Sequence, residues 1–428
     1  MKSIKNLREL SFLVYGLGST GRSVVKFFKK NSIKNYQVWD DNNKNLFKKK
    51  RPINLKQAFK QVDYIILSPG ISLINSKFKK NLNKYDHKII TDIDLIFILK
   101  QFFKTIVVTG TNGKSTTCKI ISHILKANGF KSIIGGNIGT PILNLRIKKN
   151  HILIIEASSF QLSHSKYIRP DYAILLNISN DHLDWHGSMK QYINSKFKIF
   201  SLQKKFQYAL IDRKLKNEFK KRNFSSNLII PKISFYKKIK KKIMNSYLKS
   251  DINDENMSHV FELSKLFKIK EKLLVRSLNS FVGLPHRYEI FLKKKNCIFI
   301  NDSKATSFQA TKFALNNTKN IFWIVGGLPK KSDKIDLKYL KKNIINTYII
   351  GKNINYFKKQ LHNKLNYKVT YNLKKSVIEV LKDINLFNKK SNSILLSPAS
   401  ASYDQFSNFE ERGEEFKKLV KYYVRKFY

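Results

Sequence analysis

Residues 105–117, TIVVTGTNGKSTT, restrict the possible fold more than any other stretch. The apolar, β-branched run 106–109 reads as a buried parallel strand. A turn of Gly110, Thr111, Asn112 and Gly113 follows, and Lys114, Ser115 and Thr116 open a helix. Such a turn is a phosphate cradle. Its glycines let the backbone approach an anion, the helix N-terminal N–H groups point at that anion, and a lysine adds charge. Ser115 is placed to ligate a Mg²⁺ bridging phosphate oxygens. The spacing is G-x-x-G-K-S, shorter than G-x-x-x-x-G-K-[ST], and Val108 stands where the longer motif wants its first glycine.

A chain of 428 residues exceeds one core, so two to four domains are expected. Two cysteines, Cys118 and Cys297, give no disulfide framework and no cysteine metal site. No apolar run reaches the length of a membrane span, and the run 12–15 is too short for a signal peptide. These features lead to the expectation of a cytoplasmic protein with no membrane contact. The net charge of +54 suits an acidic polymer or a membrane surface, or it reflects coding bias. The excess is 72 lysines against 11 arginines, scattered along the chain, which favours bias and argues against nucleic acid as partner. The field still favours anionic substrates.

Taken in order, residues 11–41 read strand, turn, helix, strand around Gly16-x-Gly18-x-x-Gly21, and Asp40 lies 19 residues after Gly21. This pattern fits a nucleotide or diphosphate ligand without choosing a dinucleotide. A strand at 64–67 runs into Ser68, Pro69 and Gly70. A helix and linker are expected near 92–104. In the second unit the first helix should stop at Asn128-Gly129, and 135–141 should be a loop centred on Asn137. Residues 151–156 form an apolar strand closed by Glu156, a carboxylate suited to Mg²⁺ beside a phosphate loop. A strand over 172–179 enters a loop with Asp181, His182, Asp184 and His186, and a helix near 188–200 carries Lys196. Taken alone, Lys196 reads as solvated. The run 237–243, KKIKKKI, reads as a solvated loop or strand edge, and Asn253 and Asn256 should share a helix face. A third unit starts near 281–289, with strands near 297–302, 321–327, 346–351, 367–371 and 393–398, then a terminal amphipathic helix. The alternation predicts an α/β chain of mostly parallel sheets whose ligands sit past the strand C-terminal ends.

Seven stretches in order, VVTGTNGKSTT, GGNIGTP, EASSFQLS, LNISNDHLDWHGSMKQYINSK, GLPHRYE, INDSKATSFQAT and LLSPASASYDQFSNFEERGEEF, resemble the Mur ligases, ATP-dependent amide-bond formers of peptidoglycan synthesis. NDSKAT, GLPHRYE and the SPASASYDQFSNFEERG tail look most like the members that join D-glutamate to UDP-N-acetylmuramoyl-L-alanine. The resemblance implies three Rossmann-like domains, over 1–98, 99–283 and 284–428, and a monomer acting on small molecules. It implies that Gly110, Thr111, Asn112, Gly113, Lys114, Ser115 and Thr116 hold ATP phosphates. Asn256, Arg287 and Asp302 match contacts to the adenine nucleotide. Ser115 and Glu156 match ligands of one Mg²⁺, and His182 and Lys196 those of a second, with Lys196 carbamylated. Lys114, Asn137, Glu156, His182 and Lys196 form the implied catalytic set. Ser19, Thr20, Asp40, Ser68, Pro69 and Gly70 match the uridine diphosphate site, and Asn137, Ser158, Gln161 and His182 lie near the muramoyl part. Lys304, Thr306, Lys330, Ser402 and Phe409 match the D-glutamate pocket. Three departures stand out: SDINDEN at 250–256 where a His-Asn pair is common, Asp41-Asn42 where Thr-Arg is usual, and Ala157 for leucine.

Overall fold

The computed structural model describes residues 4–43, 45–99, 103–245, 248–249, 253–330, 333–337, 340–386 and 391–427. The first three residues of SDINDEN therefore lie outside the described residues. The chain divides into two compact units, Met1–Phe281 and Val282–Tyr428.

The first unit holds two parallel sheets. One comprises β1 (Phe12–Tyr15), β2 (Tyr36–Trp39), β3 (Tyr64–Leu67) and β4 (Ile89–Ile90), in the order β2-β1-β3-β4. The other comprises β5 (Lys104–Thr109), β6 (Lys131–Gly136), β7 (His151–Glu156), β8 (Tyr172–Leu175), β9 (Tyr208–Ile211) and β10 (Asn227–Ile229), in the order β10-β9-β8-β5-β7-β6. Strands buried on both faces read as unbroken apolar runs, as FLVY and IVV do here. The strand period of two then sorts the side chains. Phe12 and Val14 enter a core that also takes Val107, Leu153 and Ala173 of the second sheet, while Leu13 and Tyr15 enter a separate one. The two sheets thus share one hydrophobic cluster, which makes them a single compact unit. Ile106 and Val108 face the opposite way, into a core with Cys118, Ile121 and Leu125 of the helix Lys114–Ala127.

The second unit is one six-stranded sheet. Its strands are β11 (Glu289–Lys294), β12 (Cys297–Asn301), β13 (Ile321–Gly326), β14 (Ile344–Ile350), β15 (Tyr367–Tyr371) and β16 (Asn392–Leu396), in the order β11-β12-β16-β13-β14-β15. Only the β11–β12 hairpin is antiparallel. Phe322 and Ile324 pack on one face of this sheet, and Trp323 and Val325 on the other. The α/β class with mostly parallel sheets is as the sequence implies. No helix among the described residues is long and apolar enough to cross a membrane.

Three local readings change. The run 237–243 lies mostly in the helix Ile233–Lys240, with Tyr236, Ile239 and Ile243 buried. Those three positions recur every three to four residues, so the lysines occupy the outer face and the apolar residues anchor it. Gly135 and Gly136 are not loop but the end of β6, paired with Ile155 and Glu156. The ladder of β8 stops at Leu175, not at 179, because Asn177 turns to hold the loop after β5. The helix expected near 92–104 is Asp92–Leu99.

Trp323 is fully buried and donates its indole N–H to the Ser397 carbonyl at 2.8 Å. Trp323→Ala removes that packing and leaves an unpaired buried carbonyl. Urea denaturation of the variant should show the second unit destabilised by about 3–5 kcal/mol.

Candidate active site

The loop after β5 starts a helix whose first turn lacks intrahelical partners for its N–H groups. Gly113 adopts φ +83°, and a Cβ there would lie 2.3 Å from the Asn256 side-chain oxygen, so both backbone and space demand glycine. The loop is braced from two sides. Asn177 accepts from Thr111 N through its carbonyl and from Asn112 N through its side chain, both at 2.9 Å. Thr111 Oγ1 lies 2.9 Å from Ser179 N and from the Tyr192 hydroxyl.

Lys114 Nζ donates to the carbonyls of Gly110 (2.8 Å) and Thr111 (2.9 Å). Lys196 Nζ also donates to Gly110 O, at 2.9 Å, and sits 4.6 Å from the centre of the Tyr192 ring. Lys196 is 1% exposed, which corrects the solvated reading of that residue. Burial pushes its ammonium pKa well down, Lys114 pushes it further, and Asp181 opposes them.

The register of β5, β7 and β6 carries Glu156 to the same rim, opposite Val108 and Gly136. Its Oε1 accepts from Asn137 Nδ2 at 3.0 Å, and Asn137 N donates to Glu156 O at 2.8 Å. Glu156 Oε2 is buried with no hydrogen-bond partner among the described residues. Its charge reaches the helix, helping burial raise the Cys118 thiol. Among the described residues no three His, Cys, Asp or Glu side chains gather as metal donors. A lone buried carboxylate oxygen beside a phosphate loop fits a Mg²⁺ whose remaining ligands are phosphate and water, not a closed protein cage.

His182 lies outside that buried pair. It holds a left-handed φ of 54°, is exposed, packs 4.7 Å from the Phe160 ring and has Nε2 3.4 Å from Asp181 Oδ2. Ser158 and Gln161 form a capping box on the helix Ser159–His164: Ser158 Oγ accepts from Gln161 N, and Gln161 Oε1 accepts from Ser158 N and Oγ.

In the first sheet Ser19 and Thr20 open a helix whose N-cap, Gly18, supplies no side-chain bond. Asp40 accepts from Leu17 N, Asn42 N and Asn43 N, and these bonds outweigh burial in lowering its pKa. Ser68 Oγ donates to Gly16 O at 2.7 Å, and Pro69 and Gly70 complete the turn. Asp41 accepts from the Tyr15 hydroxyl and the Trp39 indole, both at 2.8 Å.

In the second unit Asp302 follows β12. It accepts from Ser397 Oγ at 2.6 Å and Tyr288 N at 3.1 Å, and burial raises its carboxyl to about 7 against those bonds and the Arg287 charge. Lys304 Nζ lies 4.5 Å from the Phe409 ring centre. Ser402 is buried, Thr306 is half-buried and Lys330 exposed, each just beyond a strand end or in the loop after β16.

Two family descriptions match the chain: the Mur ligase middle domain over residues 108–278 and the Mur ligase MurD-like N-terminal domain over 11–91. The UDP-N-acetylmuramoylalanine–D-glutamate ligase of Rickettsia felis is 35% identical, over 95% of this chain and 96% of its own. The enzyme of that name from Buchnera aphidicola is 36% identical, over 96% and 97%. The chain belongs to the Mur ligase family. Solved Mur ligases share its fold. The Thermotoga maritima MurF ligase in complex with ADP has TM-score 0.56 at 17% identity, over 100% of both chains. The MurC ligase of that organism has TM-score 0.57 at 14% identity, over 97% of this chain and 100% of its own.

Two residues of this Mur ligase escaped the sequence reading, Tyr192 and Arg412, and Asp181 stood in it only as a loop residue. Tyr192, four residues before Lys196, floors its ammonium and braces Thr111, and that helical spacing was the available signal. Asp181 lies by His182 and bears on Lys196. Arg412 is 1% exposed and ties Ser303 O (2.8 Å) to Ser400 O (3.0 Å), joining the loops after β12 and β16. Burial lowers its guanidinium to about 10.

Behind the rim, His164 is buried with Nε2 unpartnered, and burial, aided by Lys198, pushes its pKa from 6.5 to about 4. The unfolded chain therefore holds a proton on this ring that the fold refuses between those values. The stability conferred above pH 6.5 is lost as pH falls toward 4, by about 3 kcal/mol. Urea midpoints measured from pH 7 to 4.5 should fall less steeply for His164→Leu than for the parent.

Proposed function

We propose that the chain joins D-glutamate to UDP-N-acetylmuramoyl-L-alanine with ATP, giving ADP, phosphate and UDP-N-acetylmuramoyl-L-alanyl-D-glutamate, as a cytoplasmic step of peptidoglycan precursor synthesis. The observation that carries this is the rim where two lysines, Lys114 and Lys196, converge on Gly110 while Glu156 presents a free buried oxygen. The relatives of the same printed name extend over nearly the whole chain.

The reaction unites anions. The alanyl carboxylate attacks the γ-phosphorus of ATP, the bridge to ADP breaks, and an acyl phosphate results. The neutral amine of D-glutamate then attacks the acyl carbon, loses a proton, and phosphate leaves. Gly110, Thr111, Asn112, Gly113, Ser115 and Thr116 cradle the triphosphate, and Lys114 moves from backbone carbonyls to the transferred phosphoryl group, stabilising charge where it develops. Asn256, already seated on Gly113, supports the nucleotide; Arg287 and Asp302 are the further adenine-nucleotide contacts that the family resemblance implies. Asn137 orients Glu156. Asp40 and Ser68 shape the uridine diphosphate loop through backbone bonds, with Ser19, Thr20, Pro69 and Gly70 lining it. Ser158 and Gln161 set the helix beside the muramoyl group. Lys304, Thr306, Lys330, Ser402 and Phe409 bind D-glutamate.

Mg²⁺, when bound, supplies positive charge that screens the phosphates; Ser115 and Glu156 would hold one ion, and His182 with Lys196 a second. As an ammonium Lys196 repels a cation. Its depressed pKa favours the neutral amine, which adds to CO₂ with loss of a proton and becomes an anionic carbamate.

Phosphate release measured with UDP-N-acetylmuramoyl-L-alanine and ATP should require D-glutamate for sustained turnover. Lys114→Ala should cut that rate ~10²–10³-fold with unfolding unchanged; a parent-like rate rules out the assigned role. Lys196→Ala should also lose activity, and short carboxylates added to the assay should restore part of it. Absence of any rescue counts against the carbamate.

A further inference from the structure

The rim that carries Gly110 and Glu156 has an opposite edge, where the strands begin. A cavity of about 440 Å³ opens there, between the starts of β3, β8 and β9. This lies within the ~300–1,000 Å³ range of small-molecule sites. None of the residues assigned above to nucleotide, muramoyl or D-glutamate contacts lines it.

Its walls combine two chemistries. Tyr64 and Tyr167 meet edge to face with ring centres 6.5 Å apart, and Leu202, 40% exposed, adds an aliphatic patch. Arg169 is half-buried and Lys204 exposed, and neither side chain has an ion pair or hydrogen bond among the described residues. Among the described residues that line it none is acidic. The floor is fixed, because Gln203 Nε2 donates to the carbonyls of Pro170 (2.9 Å) and Tyr208 (3.1 Å), at the starts of β8 and β9.

The Arg169 guanidinium, partly buried and without a carboxylate partner among the described residues, is placed to receive an anion. The guanidinium fork suits planar or tetrahedral oxyanions, and the tyrosine pair offers ring faces and edges. We propose that this cavity is a second ligand site, separate from the active site, for a small aromatic acid: a planar ring against Tyr64 and Tyr167, with its carboxylate or phosphate on Arg169. Because its walls come from both sheets of the first unit, such a ligand would bridge β3 to the β8–β9 edge.

The test is calorimetric titration of the full chain at physiological salt with 2-naphthoate, 2-naphthyl phosphate and the uncharged 2-naphthol. One-to-one binding of an anionic probe, at least tenfold tighter than 2-naphthol, supports the site, and whichever anion binds tighter assigns the acid as carboxylic or phosphoric. Arg169→Gln should weaken that binding about tenfold or more, as loss of a charge-assisted bond does. Leu202→Glu, on an exposed side chain, should do the same by repulsion, with thermal unfolding of both variants like the parent. Saturating ATP and D-glutamate should leave the affinity unchanged. Parent-like affinity in both variants, displacement by ATP, or many weak non-saturating sites on the basic surface would each overturn the proposal.

Discussion

Two lysine amino groups share one backbone carbonyl, that of Gly110, and the rest of the rim is arranged around this fact. Lys196, fully buried, is held there by the Gly110 carbonyl and the Tyr192 ring, and burial and Lys114 disfavour its charged form while Asp181 opposes them. Such an arrangement is poised for anions. Under the proposed reaction a triphosphate would draw Lys114 away, and a carbamate would reverse the sign of Lys196. The unpartnered oxygen of Glu156 is the complementary strain, a buried negative charge short of a cation. Under that reading phosphate and metal would stabilise both together, coupling binding of the nucleotide to binding of its ion.

Parallel pairing is what makes this convergence possible. In β5, β7 and β8 every strand runs the same way, so the residues that end them, Thr109, Glu156 and Leu175, emerge along one edge. The loops that follow can then brace one another, as Asn177 braces Thr111 and Asn112. The second unit repeats the scheme: Asp302 and Ser397 meet beyond β12 and β16, and Arg412 ties the two loops from beneath. The opposite edge of the first unit is free of this demand, and there the fold leaves an aromatic and basic cavity.

Much of this was readable directly. Unbroken β-branched runs announced the strands, glycines before Lys114 announced the cradle, and Asn128-Gly129 marked the end of the helix that follows it. Glu156 was legible because a carboxylate closing an apolar strand has few structural uses. Other residues misled for equally physical reasons. In a chain with 72 lysines, nothing local separates Lys196 from its neighbours. The lysine run 237–243 hid a helix because its three anchoring residues are outnumbered. Ser158 and Gln161 also partner each other in a helix cap, a pairing their three-residue spacing allowed but did not require and one that leaves their expected place near the substrate open.

The sequence by itself determined most element types, the glycine turn that opens the helix at Lys114, and the family, because these rest on neighbours within a few positions: strand alternation, helix period, glycine torsions. Tertiary structure alone decided which charges lose water. Lys196 meets Gly110 across 86 positions, and Arg412 meets Ser303 across 109. Burial of that kind depends on how separate strands stack, and desolvation, not residue type, sets whether a lysine is a solvated surface charge or a reactive amine.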